Sequence, residues 1–330
     1  MGGQREAPGL DSTLDPGRTM ATPTPSKRLT GVFAPVLTPF RADLSPDPER
    51  LVGHCRWLLG HGCAGLAPFG TTSEANSLSV EERERLLEAL LDAGVPAARL
   101  VPGTGCCALP DTVRLTAHAV RRGCAGVLVL PPFYYKGVSD DGLFRAFAEL
   151  IERVGDDRLR VYLYHIPPVA QVPITAGLVE RLRKAYPRAV AGMKDSSGDL
   201  GNTKAMLDRF GKDGFDVFVG SERFLLENLR AGGVGCITAT GNVNAAAIAR
   251  LYEGWRSPEA ERLQEDVNVV RGIVENLPVI PALKAIVAEE SGDPGWATVR
   301  PPLAALAREK VGPLLGDLRE RGFAMSGLRG

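Results

Sequence analysis

The sequence has no excess of charge of either sign and no long apolar run. Its 330 residues carry 39 Lys and Arg against 39 Asp and Glu, so there is no net field to concentrate nucleic acid or an anionic membrane surface. No apolar run approaches the roughly 20 residues that a membrane span needs. Hydrophobic residues still make up 44% of the chain, which is enough for a large core. We therefore expect a folded protein that binds neither nucleic acid nor membranes.

Paired cysteines and metal-ligand spacings are also missing. The six cysteines form no CxxC pair and the four histidines are scattered, so the sequence offers neither a disulfide framework nor a metal site. Residues 1–28 contain no apolar segment like that of a secretory signal. We predict reduced thiols, no bound metal, a cytoplasmic location and a disordered N-terminal extension over residues 1–28.

Short apolar runs alternate with amphipathic helical patterns from residue 29 onwards. Eight runs are continuous, as in strands buried on both faces: residues 31–37, 64–69, 99–103, 126–130, 160–166, 189–193, 216–220 and 235–239. Seven helical patterns follow the strands in turn, the clearest opening at the capping box Ser79-Val80-Glu81-Glu82. After residue 239 the sequence is helical only, over residues 243–254, 258–275, 279–289 and 302–321.

This order predicts an α/β fold, a (β/α)8 TIM barrel over residues 29–242 with a C-terminal helical region over 243–330 packed on the barrel. A doubly wound sheet is the alternative. It usually carries a glycine-rich loop after its first strand, where this sequence has Thr38-Pro39-Phe40.

In such a barrel the reactive groups lie where strands end, and Lys194 is the most informative of these. It terminates the apolar strand 189–193, so its amine is expected in the barrel mouth. Burial disfavours an ammonium and lowers a lysine pKa, which a Schiff-base nucleophile requires. The alternative is a surface lysine paired with Asp195.

Three other strand ends carry polar groups. Tyr164 on the neighbouring strand can move protons, or it is an aromatic core residue. Thr71 and Thr72 offer hydroxyl groups suited to a keto-acid carboxylate, or they form an ordinary turn. His165 alternates to the face opposite Tyr164, which favours a packed or capping histidine.

Taken together, these segments resemble the dihydrodipicolinate synthase / N-acetylneuraminate lyase family of pyruvate-type aldolases over some 290 residues. The matching motifs stand in the same order and spacing: Val36-Leu37-Thr38-Pro39-Phe40, Gly70-Thr71-Thr72-Ser73-Glu74, Tyr164-His165-Ile166-Pro167, Gly192-Met193-Lys194-Asp195-Ser196-Ser197-Gly198 and Gly232-Gly233-Val234-Gly235-Cys236-Ile237-Thr238.

The resemblance implies a cofactor-independent enzyme in which Lys194 forms an imine with a 2-keto acid and Tyr164 transfers protons. Thr71 would link Tyr164 to Tyr135, a tyrosine that the family often borrows across a dimer interface. A homodimer or homotetramer is therefore implied.

The resemblance also implies how the substrate is bound. Thr72 and backbone groups of its loop, including Gly70, would hold the keto-acid carboxylate. Ile237 would add a backbone contact near the imine. Asp195 and Ser196 would order their loop rather than react.

The sequence departs from the family in the second-substrate pocket. True dihydrodipicolinate synthases carry a carboxylate-binding arginine five residues after the strand tyrosine, and here that residue is Val169. His165 replaces the usual asparagine, and Ser73 replaces a glycine, which is expected to restrict the loop backbone. Lys136 is a candidate to supply a cation near Val169 instead.

We therefore expect a Schiff-base-forming lyase, an aldolase or a dehydratase, acting on pyruvate or a 2-keto-3-deoxy acid. The alternative is 4-hydroxy-tetrahydrodipicolinate synthase, which Val169 disfavours. A non-catalytic barrel that binds a keto acid and a metal-dependent aldolase are the options from other classes. The first conflicts with the intact lysine, tyrosine and threonine, and the second with the absence of ligand spacing.

Overall fold

The computed structural model describes residues 28–328. Of the predicted N-terminal extension, residues 1–27 lie outside the described part. Arg28 is placed: its Nε donates a hydrogen bond of 2.6 Å to Asp216 Oδ1, so the predicted extension was one residue too long.

Seven parallel strands form one sheet. They are β1 (Gly31–Ala34), β2 (Gly65–Leu66), β3 (Val127–Val129), β4 (Val161–His165), β5 (Val190–Asp195), β6 (Asp216–Val219) and β7 (Gly235–Ile237). The spatial order is β2-β1-β7-β6-β5-β4-β3. Every strand residue is buried, which explains why the strands appear in the sequence as continuous apolar runs. The predicted α/β class with parallel strands is confirmed.

The predicted third strand, residues 99–103, is not a regular strand. It makes only isolated bridges, from Leu100 to Leu66 and from Gly103 to Leu128. Backbone bonds join it to the neighbouring segments on both sides. Val101 N–H donates to Leu66 O at 2.8 Å and Gly103 N–H to Pro68 O at 2.7 Å, while Thr104 N–H donates to Leu128 O at 3.0 Å and Leu128 N–H to Pro102 O at 2.9 Å. Pro102 has no N–H to donate, which interrupts the ladder at this point. The segment nevertheless contacts both edge strands of the sheet, β2 and β3.

Helices follow the strands and then continue alone. They are α1 (Pro48–Gly60), α2 (Val80–Asp92), α3 (Leu109–Arg121), α4 (Asp140–Val154), α5 (Pro167–Ala170), α6 (Ala176–Ala185), α7 (Leu200–Phe210), α8 (Leu225–Arg230), α9 (Gly241–Gly254), α10 (Ala260–Glu275), α11 (Val279–Ser291) and α12 (Arg308–Glu320). The capping box at Ser79 is present in both directions. Among residues 28–328, none of these helices combines the length and apolar character needed to cross a bilayer.

The last four helices share apolar clusters with β1 or with the residues just after it. Helix α9 crosses the predicted boundary at residue 242, and its Ile248 and Leu251 share an apolar cluster with Val32 of β1. Leu37, just after β1, packs in a cluster with residues of α11 and α12. Helix α12 begins at Arg308 rather than at the predicted residue 302, because a turn intervenes in which Leu303 N–H donates to Arg300 O at 3.0 Å.

Candidate active site

Lys194 and Tyr164 lie side by side near the carboxyl ends of β5 and β4. The two residues are direct partners in the parallel register, so their side chains leave the sheet on the same face. Both are buried, with 4% and 3% of their surface exposed. Lys194 Nζ donates to the Tyr164 hydroxyl at 3.2 Å and lies 4.3 Å from the centre of the tyrosine ring.

A third group extends this contact into the loop after β2. The Tyr164 hydroxyl donates to Thr71 Oγ1 at 3.3 Å, so amine, phenol and hydroxyl form a chain of three groups. Both contacts are long for hydrogen bonds, as is common in a catalytic site without its substrate. The arrangement can carry a proton between the lysine amine and a bound molecule.

No carboxylate of the described residues forms an ion pair with Lys194, which argues against the surface-lysine alternative. Its neighbour Asp195 is turned the other way. One oxygen of Asp195 accepts from Ser197 N–H at 2.9 Å, and the other accepts from Asn202 at 2.9 Å and Thr203 at 2.8 Å. Asp195 thus ties its loop to α7. Among the described residues, the Lys194 amine has one polar partner, the Tyr164 hydroxyl.

Backbone bonds fold residues 70–74, which we call the threonine loop, into a compact turn. Gly70 O accepts from Ser73 N–H at 3.1 Å and from Ala75 N–H at 3.2 Å, while Glu74 N–H donates to Thr71 O at 3.0 Å. Thr71 and Thr72 are both partly buried, and Thr71 is the one that contacts Tyr164.

Ser73 does not restrict the loop as expected. The positive φ angles fall on Phe69 (63°) and Glu74 (56°), and Ser73 has an ordinary backbone. The Ser73 hydroxyl accepts from Gly70 N–H at 3.3 Å, and Thr38 donates to Ser73 O at 2.7 Å. The serine therefore adds a bond within the loop instead of straining it.

The sequence did not reveal that Glu74 is held by an ion pair from the C-terminal helices. Lys284 of α11 pairs with Glu74 Oε1, and both side chains are fully buried. The Lys284 amine also donates to Thr298 O at 2.7 Å and lies 4.5 Å from the centre of the Phe40 ring. Burial lowers the pKa of Lys284, and the adjacent Glu74 carboxylate opposes that shift. A lysine in the middle of an otherwise apolar helical pattern was the available sequence signal.

A second buried carboxylate lies where β7 ends. Glu222 accepts from the hydroxyls of Thr238 and Thr240, and Arg271 of α10 lies 3.3 Å from its Oε2. Ile237, beside Thr238, is 1% exposed and belongs to the same apolar cluster as Tyr164. The predicted backbone contact of Ile237 stays a prediction, and sequence reasoning missed Glu222.

His165 is a packed histidine, as alternation predicted. Its Nδ1 accepts from Ile174 N–H at 3.0 Å. Burial lowers its pKa, which favours the neutral ring that this acceptor role requires. His165 therefore supports the backbone after β4 and does not join the lysine and tyrosine.

Two predicted site residues lie on the exposed rim of the mouth. Tyr135 is 72% exposed and stacks edge-to-face on Tyr134, with ring centres 5.4 Å apart. Within the described chain no hydrogen bond joins Tyr135 to Thr71. Val169 is 61% exposed on α5, a short helix that the sequence did not predict. Lys136 reaches this helix, donating to Ala170 O at 2.8 Å, so a cation lies one residue from Val169.

In the described part of the chain, no cluster of three or more His, Cys, Asp or Glu side chains is arranged to hold a metal ion. The polar groups linked to Lys194 are the Tyr164 phenol and, through it, the Thr71 hydroxyl. These suit a carbonyl compound with a carboxylate better than a cation.

Sequence comparison identifies relatives of this chain. The model of the dihydrodipicolinate synthetase family matches residues 28–319. An uncharacterized DapA-like lyase of Chloroflexus aurantiacus is 35% identical over 286 residues, which cover 86% of this chain and 94% of the relative. A 4-hydroxy-tetrahydrodipicolinate synthase of Thermus thermophilus is 37% identical over 223 residues, covering 68% of this chain and 73% of the relative.

Solved structures of the same family superpose on this chain. Dihydrodipicolinate synthase from Agrobacterium tumefaciens superposes with a TM-score of 0.82 at 31% identity, covering 88% of this chain and 99% of that one. YagE from Escherichia coli, a member of the dihydrodipicolinic acid synthase family solved in complex with pyruvate, superposes with a TM-score of 0.81 at 26% identity, covering 89% and 99%.

Proposed function

The chain belongs to the dihydrodipicolinate synthetase family and is a lyase of that family, and from this premise we propose that it acts on pyruvate or a 2-keto-3-deoxy acid through an imine on Lys194. One observation carries the proposal. The Lys194 amine is buried, lacks a carboxylate partner among the described residues, and lies 3.2 Å from a tyrosine hydroxyl.

The chemistry starts with attack of Lys194 Nζ on the keto carbon of the substrate. The resulting carbinolamine loses water to give the imine, with Tyr164 moving the protons. For aldol cleavage, Tyr164 accepts the proton of the C4 hydroxyl while the C3–C4 bond breaks and its electron pair passes into the imine. The aldehyde leaves, the enamine takes a proton at C3, and water releases pyruvate from Lys194.

Substrate binding in this proposal uses the threonine loop and β7. Thr72 and the backbone at Gly70 hold the keto-acid carboxylate, and Ile237 contributes a backbone contact near the imine. Thr71 continues the proton path from Tyr164. These assignments rest on the family resemblance together with the placement of the loop beside Tyr164.

Tyr135 supports an assembly with shared sites. Its exposed ring is available to a second copy of the chain, where it would complete the path that begins at Thr71. We therefore propose a homodimer or a homotetramer, the closed symmetric forms that such sharing requires.

Val169 favours a substrate other than aspartate semialdehyde. A semialdehyde carboxylate entering the mouth needs a strong polar partner, and loss of such a buried contact costs about 2–5 kcal/mol. Valine supplies none, and the nearby Lys136 amine already donates to the carbonyls of Phe133 and Ala170. We propose that 2-keto-3-deoxy acids are cleaved or dehydrated in preference to condensation of pyruvate with the semialdehyde, which is the reaction named for the Thermus relative.

A substrate panel tests the proposal. Pyruvate release from 2-keto-3-deoxy acids is measured beside condensation of pyruvate with aspartate semialdehyde, and each is expressed as kcat/KM. We expect at least one deoxy acid to exceed the semialdehyde reaction by tenfold or more. A tenfold advantage for the semialdehyde identifies a 4-hydroxy-tetrahydrodipicolinate synthase instead. Binding of pyruvate without turnover of any substrate identifies a non-catalytic keto-acid-binding barrel.

The wider architecture enters the proposal as well. We interpret the seven strands together with segment 100–104 as a (β/α)8 barrel, because that segment contacts both edge strands. Helices α10 to α12 then form the C-terminal extension. The imine itself serves as the electron sink, so the proposed reaction needs no cofactor. The cytoplasmic location predicted from the sequence is part of the same proposal.

A further inference from the structure

The threonine loop is held in place by groups far from it in the sequence. Glu74 closes the loop through its backbone, donating to Thr71 O at 3.0 Å, and does so with a positive φ of 56°. That conformation is unfavourable for a glutamate, and a glycine at this position would be less strained. The carboxylate must therefore contribute something that a glycine could not.

The carboxylate of Glu74 connects the loop to α11 and to the segment that follows α11. Oε1 pairs with Lys284, and Oε2 accepts from Arg300 N–H at 3.0 Å. Lys284 is in turn fixed by Thr298 O and by the face of the Phe40 ring. The ion pair thus joins the threonine loop to α11, and residues 298–300 bond to both of its members.

A fully buried ion pair is weak evidence for stability, because apolar residues of similar volume often replace one without loss. The Lys284–Glu74 pair has another consequence. A backbone hydrogen bond joins Glu74 N–H directly to Thr71 O. The Thr71 hydroxyl lies at the long end of hydrogen-bonding distance from the Tyr164 hydroxyl. A small shift of the loop would break the proton path.

We propose that Lys284 is a positioning residue, which acts through Glu74 to keep Thr71 within reach of the Tyr164 hydroxyl. The inference rests on the proposed function, since it assumes that this path serves the imine on Lys194. It predicts that loss of Lys284 slows proton exchange at C3 of the imine, while Lys194 still forms the imine because Tyr164 stays beside it. Lys194 itself is held by β5 and has no contact with Glu74.

The test separates the two steps with pyruvate alone. Imine formation is measured as covalent mass added to Lys194 after borohydride reduction. Proton transfer is measured as the exchange of pyruvate methyl hydrogens for deuterium, which needs a proton to leave C3 of the imine and a deuteron to return. Melting temperature is recorded for each variant.

The central variant is the double substitution Lys284→Met with Glu74→Gln, which removes both charges and keeps the volume. We expect it to fold and to trap pyruvate as the parent does, with exchange slowed about 10- to 100-fold, as for a catalytic group displaced by about 1 Å. The single isosteric change Glu74→Gln is expected to show a smaller loss and is decisive if the double variant does not fold. Lys204→Met, which removes an exposed ion pair with Glu227, is the matched control.

Each outcome points to one conclusion. Exchange within twofold of the parent in a folded variant overturns the positioning role. A parallel loss of imine and exchange also overturns it, because the pair would then support the whole site. If the parent protein forms no imine with pyruvate, the proposed function fails instead.

Discussion

Among residues 28–328, two lysines are buried, and their surroundings differ in one decisive respect. Lys284 of α11 meets a carboxylate, a backbone carbonyl and an aromatic face. Lys194 of β5 meets one tyrosine, through its hydroxyl and its ring, and no carboxylate of the described residues. Both side chains are almost completely excluded from solvent.

The difference shows how partners, rather than burial alone, decide what a lysine can do. A buried lysine beside a carboxylate can hold two elements together through the ion pair. A buried lysine amine without a carboxylate partner is available to attack a carbonyl carbon. The threonine loop connects the surroundings of the two lysines. Its Glu74 is paired with Lys284, and its Thr71 contacts the tyrosine beside Lys194.

Replacing Lys194 should have the largest effect on catalysis. Lys194→Met removes the nucleophile and keeps an unbranched side chain, so turnover should fall by about 10⁴-fold or more, as it does when a covalent nucleophile is lost. Steady-state assays with the substrate found in the panel measure this. Lys204→Met is the control, and a Lys194→Met protein retaining a tenth of the parent rate would remove the imine mechanism.

Tyr164 is expected to come next. Tyr164→Phe deletes the hydroxyl between Lys194 and Thr71 but preserves the packed ring. General acid–base groups contribute roughly 10²- to 10⁴-fold, so kcat should drop within that range. Tyr162→Phe on the same strand is a matched control, because that hydroxyl donates to Asp216 away from Lys194. A Tyr164→Phe rate within twofold of the parent contradicts the assigned role.

The two lysine variants should differ in their free energy of unfolding. Lys284→Met leaves Glu74 charged, buried and without its cation, and should lower the free energy of unfolding by about 3–5 kcal/mol. Lys194→Met leaves no such charge and should be neutral or stabilising. Urea denaturation measures both. Equal destabilisation of the two variants would show that the partners do not distinguish these lysines.

The smallest expected effects are those of replacing Thr71 and Thr72, and they fall on different kinetic constants. Thr71→Val should lower kcat by about 10- to 100-fold, the range for a hydrogen bond in a charged path, with little change in KM. Thr72→Val should raise KM instead, because its proposed role is to bind the carboxylate in ground and transition state alike. The kinetic constants of the two variants test the assignment, and the reverse pattern would exchange the roles.

Sequence reasoning reached the centre of the site because the information there is local. Lys194 and Tyr164 each end an apolar run, and neighbouring parallel strands bring such ends together. The third strand was overpredicted because Pro102 interrupts its hydrogen bonding. Helix α5 was missed because Pro167 and Pro168 suggest a break, although proline is well tolerated in the first turn of a helix.

The remaining features depend on contacts that no local pattern contains. Lys284 and Glu74 are far apart in the sequence, and nothing near either residue identifies its partner. The position of Lys136 beside Ala170 likewise depends on how two loops meet. The proposed role of Tyr135 depends on a second subunit, and no local pattern in the sequence describes where that subunit binds.

Borohydride trapping tests the central claim most directly. The protein is incubated with pyruvate, reduced, digested and analysed by peptide mass spectrometry, with Lys194→Met and Lys284→Met treated in parallel. Our account predicts the reduced pyruvate adduct on Lys194 in the parent and in folded Lys284→Met, and no adduct in Lys194→Met. An adduct on Lys284, or no adduct on Lys194 in the parent, would contradict it.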